Sequence, residues 1–349
     1  MSESLVPESP LSDGLFRMPE EAAAHLRTVM QWPVRADIYG GAKCLRETQS
    51  AIRTIARAIS RFEPVVMMAD AKYHAEVAVG ADKNIELWDI PTDDLWARDS
   101  GPTFVTQQDG ALAVMDFNFN GWGNKQRHTN DALVALRVAE QLGIPRIDSG
   151  LVGEAGGLEF DGAGTIIAHA SSWINVNRSR EDAGTIGGKM MRALGADKVI
   201  WAPGIAGNDI TDYHIDALAR FVAPGRVLIQ LPDKPSASDP WSVAAFETYE
   251  ILKNARDADG RKLELIVVPE PVDIRSDNQE FVASYVNYYV CNGAVIAAEF
   301  GDDVIDEQAR KTLAQLYPGR EIIMLNVDPI GEAGGGIHCA TQQQPAQKA

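Results

Sequence analysis

One order of elements recurs along the chain: two short alternating strands around a tight turn, then an amphipathic helix, then a short apolar strand. In the first such ββαβ unit, strands at 102–105 and 112–117 flank Asp109-Gly110, a helix follows at 131–142 and a strand begins at 145–147. The second has strands at 158–160 and 165–169 around Asp161-Gly162, a helix at 182–194 and a strand at 198–201. In the third, 214–222 and 226–231 flank Ala223-Pro224-Gly225, and a helix at 241–254 leads to a strand at 263–268. The fourth has 284–290 and 294–299 around Asn292-Gly293, a helix at 306–316 and a strand at 322–326. The fifth is split between the ends of the chain, with a strand at 336–341 and, from the other terminus, a strand at 29–34, a helix at 45–59 and a strand at 65–68.

Repeats spaced by roughly sixty residues predict an α/β fold of pseudo-symmetric units, closed where the two ends of the chain meet. The reading is one catalytic domain over 1–349, with disordered tails at 1–14 and 344–349 and a surface linker at 232–240. A textual echo supports the repeat: Gly153-Glu154-Ala155-Gly156-Gly157 returns as Gly331-Glu332-Ala333-Gly334-Gly335, each time just ahead of a unit's first strand. Small residues there let backbones crowd together.

Charge narrows the function. Forty-nine acidic against 32 basic residues give a formal net charge of −17, which opposes nucleic acid and anionic membranes and attracts a small cation. No run of eighteen apolar residues exists, and the opening MSESLVPESPLSDG has neither a basic cluster nor an apolar core, so a cytoplasmic location is expected. Cys44, Cys291 and Cys339 are too few and too scattered for a disulfide framework, and no His/Cys cluster has metal-ligand spacing.

If the units are related by rotation, the starts of their hairpins converge on one axis. Those positions hold Trp96, Arg98 and Asp99; then Glu154; then His214 and Asp216; then Asn287; then Cys339. The set is chemically biased: a thiol, an imidazole and carboxylates occupy corresponding places. Cys339 follows Gly334-Gly335-Gly336, which would let a substrate approach the backbone closely, and a nearby cation would activate its thiol. Cys44 and Cys291 read as small buried hydrophobes. On a strand, His214 and Asp216 share one face, whereas His338 faces away from Cys339. A histidine can protonate a leaving group, and a carboxylate pairs through two oxygens with a planar guanidinium. The alternatives are a surface ion pair of Asp216 with Arg220, a turn organised by Asp99, and loop hydrogen bonding by Glu154. Trp96 and Trp122 could cover a delocalised cation with a ring face, or simply fill the core.

At these motifs the sequence resembles the agmatine deiminase family and its relatives, the bacterial peptidyl-arginine deiminases, within the guanidino-modifying pentein superfamily. The resemblance rests on MPEEAAAHLRTVMQWP at 18–33, DLWARDSGPTFV at 94–105, EAGGLEFDGAGT at 154–165, HIDALARFV at 214–222, SYVNYYVCNG at 284–293 and GGGIHCATQQ at 334–343. It implies a five-bladed α/β propeller (the pentein fold), no metal or organic cofactor, and a homodimer or homotetramer. It also implies a small cationic guanidino substrate. By position, Cys339 would be the nucleophile, His214 the general acid and base, Asp99 and Asp216 the guanidinium clamps, Glu154 the partner of His214, and Trp96 a wall of the site. Trp122, Asn287, Asp209 and Gly336 are the further substrate-binding candidates.

The implied reaction is hydrolytic deimination through a thiouronium on cysteine, with agmatine giving N-carbamoylputrescine and ammonia. Gly121-Trp122-Gly123 stands where members taking a C-terminal arginine carry arginines, which favours an amine. Ile210 stands where agmatine-specific members carry a glutamate for the distal ammonium, a role Asp209 next door could fill. Ala155 and Ala217 also depart from the pattern without removing a catalytic group. The other readings are deimination of arginine, peptidyl-arginine or another guanidinoalkyl amine, amidinotransfer to an amine, and guanidine binding without catalysis. A papain-like protease would instead place its cysteine near the mature amino terminus.

Overall fold

The computed structural model of the protein describes residues 15–80 and 82–347; the amino-terminal tail expected at 1–14 lies outside the described residues. Five separate sheets carry the five units. In each, the first two strands pair antiparallel and the third returns parallel to the second. The first sheet has Thr103–Gln107, Leu112–Asp116 and Arg146–Asp148. The second has Leu158–Phe160, Thr165–His169 and Lys198–Ala202. Ala219–Ala223, Arg226–Leu231 and Glu264–Pro269 form the third, and Tyr289–Cys291, Ala294–Ala298 and Glu321–Leu325 the fourth. The fifth joins the chain ends, with Thr341–Pro345 antiparallel to His25–Gln31 and the latter parallel to Val65–Ala69.

A parallel return needs a crossover, and a helix supplies it each time. These helices are Val134–Leu142, Ala183–Leu194, Pro240–Asn254, Asp303–Leu316 and Ala42–Ser60. Three of them start on an aspartate, Asp182, Asp239 or Asp302, whose side chain accepts an otherwise unpaired N–H of the first turn. In Ala42–Ser60, Ile52, Ile55 and Ile59 are fully buried, while Cys44 in the first turn is exposed rather than buried. Two strands lie outside the repeat: Phe16–Arg17 edges the first sheet and Ile85–Asp89 the fifth. No sheet closes on itself among the described residues.

Two expectations are corrected. The first strands of units three, four and five do not reach inward to His214, Ser284 and Gly336. Each unit instead opens with a single tight turn: Ala97–Ser100, Ala155–Gly157 and Ile215–Ala217, and then 284–287 and 336–341. The backbone donors a strand would offer its neighbour are used inside the turn. Gly157 N–H donates to Glu154 O at 3.0 Å, Leu218 to Ile215 at 2.9 Å and Thr341 to His338 at 3.1 Å. Over so few residues, apolar–polar alternation does not separate such a turn from a strand. The second correction is at the end of the chain: the tail expected from residue 344 starts later. Gln344 and Pro345 continue the ladder opposite Arg27 and His25, and Gln344 is buried. Among the described residues no helix is long and apolar enough to cross a membrane.

Candidate active site

Because each unit opens with a turn, the residues on those turns project toward one another. Cys339 lies in the last turn, with its side chain only partly exposed. Asn287, from the fourth unit's turn, holds it twice: Nδ2 donates to Sγ at 3.1 Å, and Oδ1 accepts the Cys339 N–H at 3.2 Å. That reach depends on Gly336, where a Cβ would sit 2.4 Å from Asn287 Oδ1. Arg98 N–H donates to the Cys339 carbonyl at 3.0 Å, tying the first turn to the last. Cys339 Sγ is 3.6 Å from Asp216 Oδ2.

His214 is buried just before the turn Ile215–Ala217, following Asp212 and Tyr213, which hold φ angles of 61° and 69°. Two consecutive non-glycine residues in the left-handed region are unfavourable, and the surrounding bonds must hold them there. His214 Nε2 lies 3.2 Å from Glu154 Oε2, and Nδ1 lies 3.6 Å from Asp99 Oδ1. Glu154 is fixed in turn by Arg178, whose Nε donates to both of its oxygens at 3.0 and 2.9 Å. Arg178 Nη1 and Lys125 Nζ both donate to Asp212 Oδ2 at 2.7 Å. Imidazole, glutamate and arginine thus form one buried chain that orients the ring.

Asp99 and Asp216 are buried carboxylates with the same bonding pattern. Asp99 Oδ2 accepts the Trp122 indole N–H at 2.9 Å, and Asp216 Oδ2 pairs with His338 Nδ1 at 2.8 Å. In each, Oδ1 is buried without a hydrogen-bond partner. Gly156 lies where these groups converge: a Cβ there would be 2.7 Å from Asp99 Oδ1, 2.8 Å from His214 Nδ1 and 3.2 Å from Asp216 Oδ2. Gly156→Ala is therefore expected to displace the acid and imidazole groups and lower kcat/KM by about a hundred-fold. Steady-state kinetics checks this, with circular dichroism confirming the fold; activity within about three-fold of the parent contradicts it.

The remaining candidates are placed unevenly. Trp96 is buried, with its ring against Gly335, where a Cβ would be 2.4 Å from it. Trp122 reaches the site through its indole N–H on Asp99. Asp209 is not brought into the cluster: it is exposed, and its carboxylate accepts from the Thr211 hydroxyl and the Tyr213 N–H, both at 3.0 Å. That loop needs an acceptor to hold the turn before His214, so the carboxylate is engaged locally. His214 and Asp216 share the site because of the turn, not through strand periodicity. Sequence reasoning missed Gly156, Arg178 and the contact of His338 with Asp216. The repeated Gly-rich motif pointed toward the first, whereas Arg178 lies in a loop with no periodic signal.

Three carboxylates around one imidazole set the electrostatics. Burial opposes the charge on His214, but Asp99, Glu154 and Asp216 outweigh it and push its pKa up to about 9. Asp99 is raised to about 6 by burial, against the opposing pull of His214 and with the repulsion of Glu154 and Asp216. Burial, then the charges of Asp216 and Asp99, lift the Cys339 thiol well above its usual range. Asp216 moves the other way: burial would raise it, but the bond to His338 and the charges of His338, His214 and Arg220 lower it. The unliganded site thus pairs a neutral thiol with an imidazolium and has uncompensated anionic character, suited to a planar cation.

Comparison with known proteins places the chain in a family. The family model of the Porphyromonas-type peptidyl-arginine deiminase matches residues 17–345. An agmatine deiminase of Ectopseudomonas mendocina is 36% identical over 369 residues, covering 97% of each chain. One from Stutzerimonas stutzeri is 35% identical, again over 97% of each. Among solved structures, the agmatine deiminase of Enterococcus faecalis superposes with a TM-score of 0.90 at 28% identity, covering 99% of both chains. With a family model spanning nearly all of it and relatives matched almost end to end, this chain belongs to the Porphyromonas-type peptidyl-arginine deiminase family, which also takes in its agmatine deiminase relatives.

Proposed function

We propose that the protein hydrolyses a guanidino amine, with agmatine the preferred substrate, to N-carbamoylputrescine and ammonia. The observation that carries this reading is the pair of buried oxygens without hydrogen bonds, Asp99 Oδ1 and Asp216 Oδ1, in one cluster with the Cys339 thiol and the His214 imidazole. A guanidinium offers five N–H donors in a plane and stays charged at any working pH, so two carboxylates can hold it from two sides. We also read the five sheets as blades of a pseudo-symmetric pentein propeller with this site on its axis. Support comes from the equivalent turns that open the five units.

The charges order the chemistry. A bound guanidinium offsets the Asp99 and Asp216 charges that raise the Cys339 thiol, so the thiol releases its proton to solvent when substrate arrives. The thiolate attacks the guanidinium carbon. His214, already protonated, gives its proton to the departing nitrogen, and ammonia leaves an S-alkylthiouronium. Neutral His214 then takes a proton from water, the hydroxide adds to the same carbon, and the C–S bond breaks to free the thiolate, while the adduct's hydroxyl proton passes to solvent and leaves the neutral ureido product.

For the tail of the substrate, two features bear on the choice. No arginine follows 117–120 in the segment Gly121-Trp122-Gly123, and Ile210 is 37% exposed, with its carbonyl accepting from Lys125 Nζ at 3.0 Å. An uncharged side chain at 210 leaves the ammonium of agmatine less tightly held than a carboxylate would. The test is to incubate the protein with agmatine, arginine, arginine-ended peptides and longer or shorter guanidino amines, following ammonia and ureido product. Ammonia from arginine or its peptides but not from agmatine overturns the substrate choice. Transfer of the amidino group to an added amine identifies an amidinotransferase.

The same charges predict the pH dependence. The productive form needs Asp99 ionised and His214 protonated, so kcat/KM for agmatine is expected to rise through pH about 6 and fall through about 9. A rate that keeps climbing above about pH 10 contradicts the assigned state of His214.

A further inference from the structure

Next to Asp216, side chains from all five units meet the amino-terminal segment in an ion cluster. His338 Nε2 pairs with Glu21 Oε2 at 2.8 Å while its Nδ1 holds Asp216 Oδ2, also at 2.8 Å. Arg220 Nη2 lies 2.7 Å from the same Glu21 oxygen and its Nε donates to Glu159 Oε1 at 3.0 Å. The guanidinium of Arg220 also donates to the Tyr288 carbonyl and stacks 4.6 Å from the centre of that ring. Arg98 approaches Glu21 at 3.7 Å, and its Nε donates to the His338 carbonyl at 3.4 Å. A pocket with room for water is lined by Glu21, Arg98, Glu159, Arg220 and His338, and its walls do not include Cys339, His214 or Asp99.

Carboxylates only accept hydrogen bonds. A carboxylate oxygen lies 2.8 Å from each ring nitrogen, so the geometry suits a His338 ring that donates from both. This distinguishes the two clamp residues. Asp216 has an ionisable donor fixed beside it, whereas Asp99 has a neutral indole. We propose that His338, itself held by Glu21, is the positioning residue of the guanidinium clamp, fixing Asp216 through Oδ2 so that Oδ1 is left for the substrate. The proposal rests on the reading of the site given above. It gives a function to a histidine adjacent to the nucleophile in sequence that does not itself touch the thiol in the contacts described, and to a glutamate at the start of the chain.

The groups that face Asp216 besides His338 are His214, Cys339 and, through space, Arg220, Glu159 and Asp99. All of these stay in place when His338 alone is replaced, so a shift in the pH profile reports the lost imidazolium. Full-length His338→Gln and Glu21→Gln are compared with the parent in three measurements: kcat and KM for agmatine against pH, melting temperature, and the pH dependence of Cys339 alkylation by iodoacetamide. A glutamine can still donate to Asp216 but carries no charge. His338→Gln is expected to lower kcat/KM by about ten-fold or more, chiefly through KM, and to steepen the acid limb, because Asp216 without the imidazolium holds its proton to higher pH and adds to the titration of Asp99. Glu21→Gln changes it in the same direction by less. Alkylation needs no turnover: with the offsetting charge gone, Asp216 repels the thiolate more and the alkylation profile moves to higher pH. If the parent does not turn over agmatine, the proposed function fails, and the alkylation shift still decides this inference. Unchanged pH profiles in both variants, with only a lower melting temperature, show a bracing role and overturn it. If His338→Gln does not fold, Glu21→Gln decides on the same readouts.

Discussion

Replacing Cys339 with alanine is expected to abolish ureido formation, with a loss in kcat on the order of 10⁴-fold or more, while agmatine still binds. The size follows from the absence of a substitute. Cys44 is exposed on the helix Ala42–Ser60, and Cys291 is buried in the fourth sheet, where burial and the charge of Glu63 push its thiol up to about 12. Neither is among the partners of Asp99, Asp216 or His214. Both carboxylates that would hold the guanidinium remain in the variant, so calorimetric binding of agmatine should survive. It should even tighten slightly, as the sulfur no longer fills space beside Asp216. Residual turnover within about a hundred-fold of the parent would show that the thiol does not form the bond to carbon.

The second large effect is at His214. His214→Gln is expected to lower kcat by roughly 10³- to 10⁴-fold, since one group protonates the leaving ammonia and then activates water. The variant should fold: Glu154 keeps both of its bonds from Arg178, and Asp99, which loses its charged neighbour, takes up a proton more readily instead of standing as an uncompensated buried charge. Removing the imidazole also removes the group that titrates at about 9, and the alkaline limb of the pH profile should disappear with it. Because ammonia departure is the first step to lose its acid, a burst of ammonia should not precede the steady state. Loss of activity with the limb at about 9 intact would assign that titration elsewhere and remove His214 from both steps.

Much of this was legible in the residues. The turn pairs Asp109-Gly110, Asp161-Gly162 and Asn292-Gly293 mark hairpins because glycine takes the positive φ they require, 84°, 70° and 83° in the structure. Hydrophobic periodicity located the crossover helices to within a few residues for the same reason: their buried stripes are what the sheets need covered. The inner ends of the units were not legible. His214 to Val222 alternates like a strand, but the first four residues coil, and only the backbone bond from Leu218 to Ile215 reveals it. Lining up the five unit starts was nonetheless enough to bring Cys339, His214, Asp99, Asp216, Glu154 and Asn287 together on paper, since that alignment does not depend on whether each start is a strand or a turn. Arg178, Gly156 and the His338–Glu21 pair escaped because their roles come from contacts between segments far apart in sequence. Glu21 and His338 are 317 residues apart.

The central claim is that carbon of the substrate becomes bonded to Cys339 during turnover. Rapid acid quenching of the enzyme in saturating agmatine, followed by digestion and mass analysis of the peptide containing Cys339, measures it directly. The account predicts that peptide heavier by agmatine less ammonia, with the adduct absent in Cys339→Ala. Turnover with the Cys339 peptide unmodified at every quench time, or the adduct found on another side chain, contradicts it.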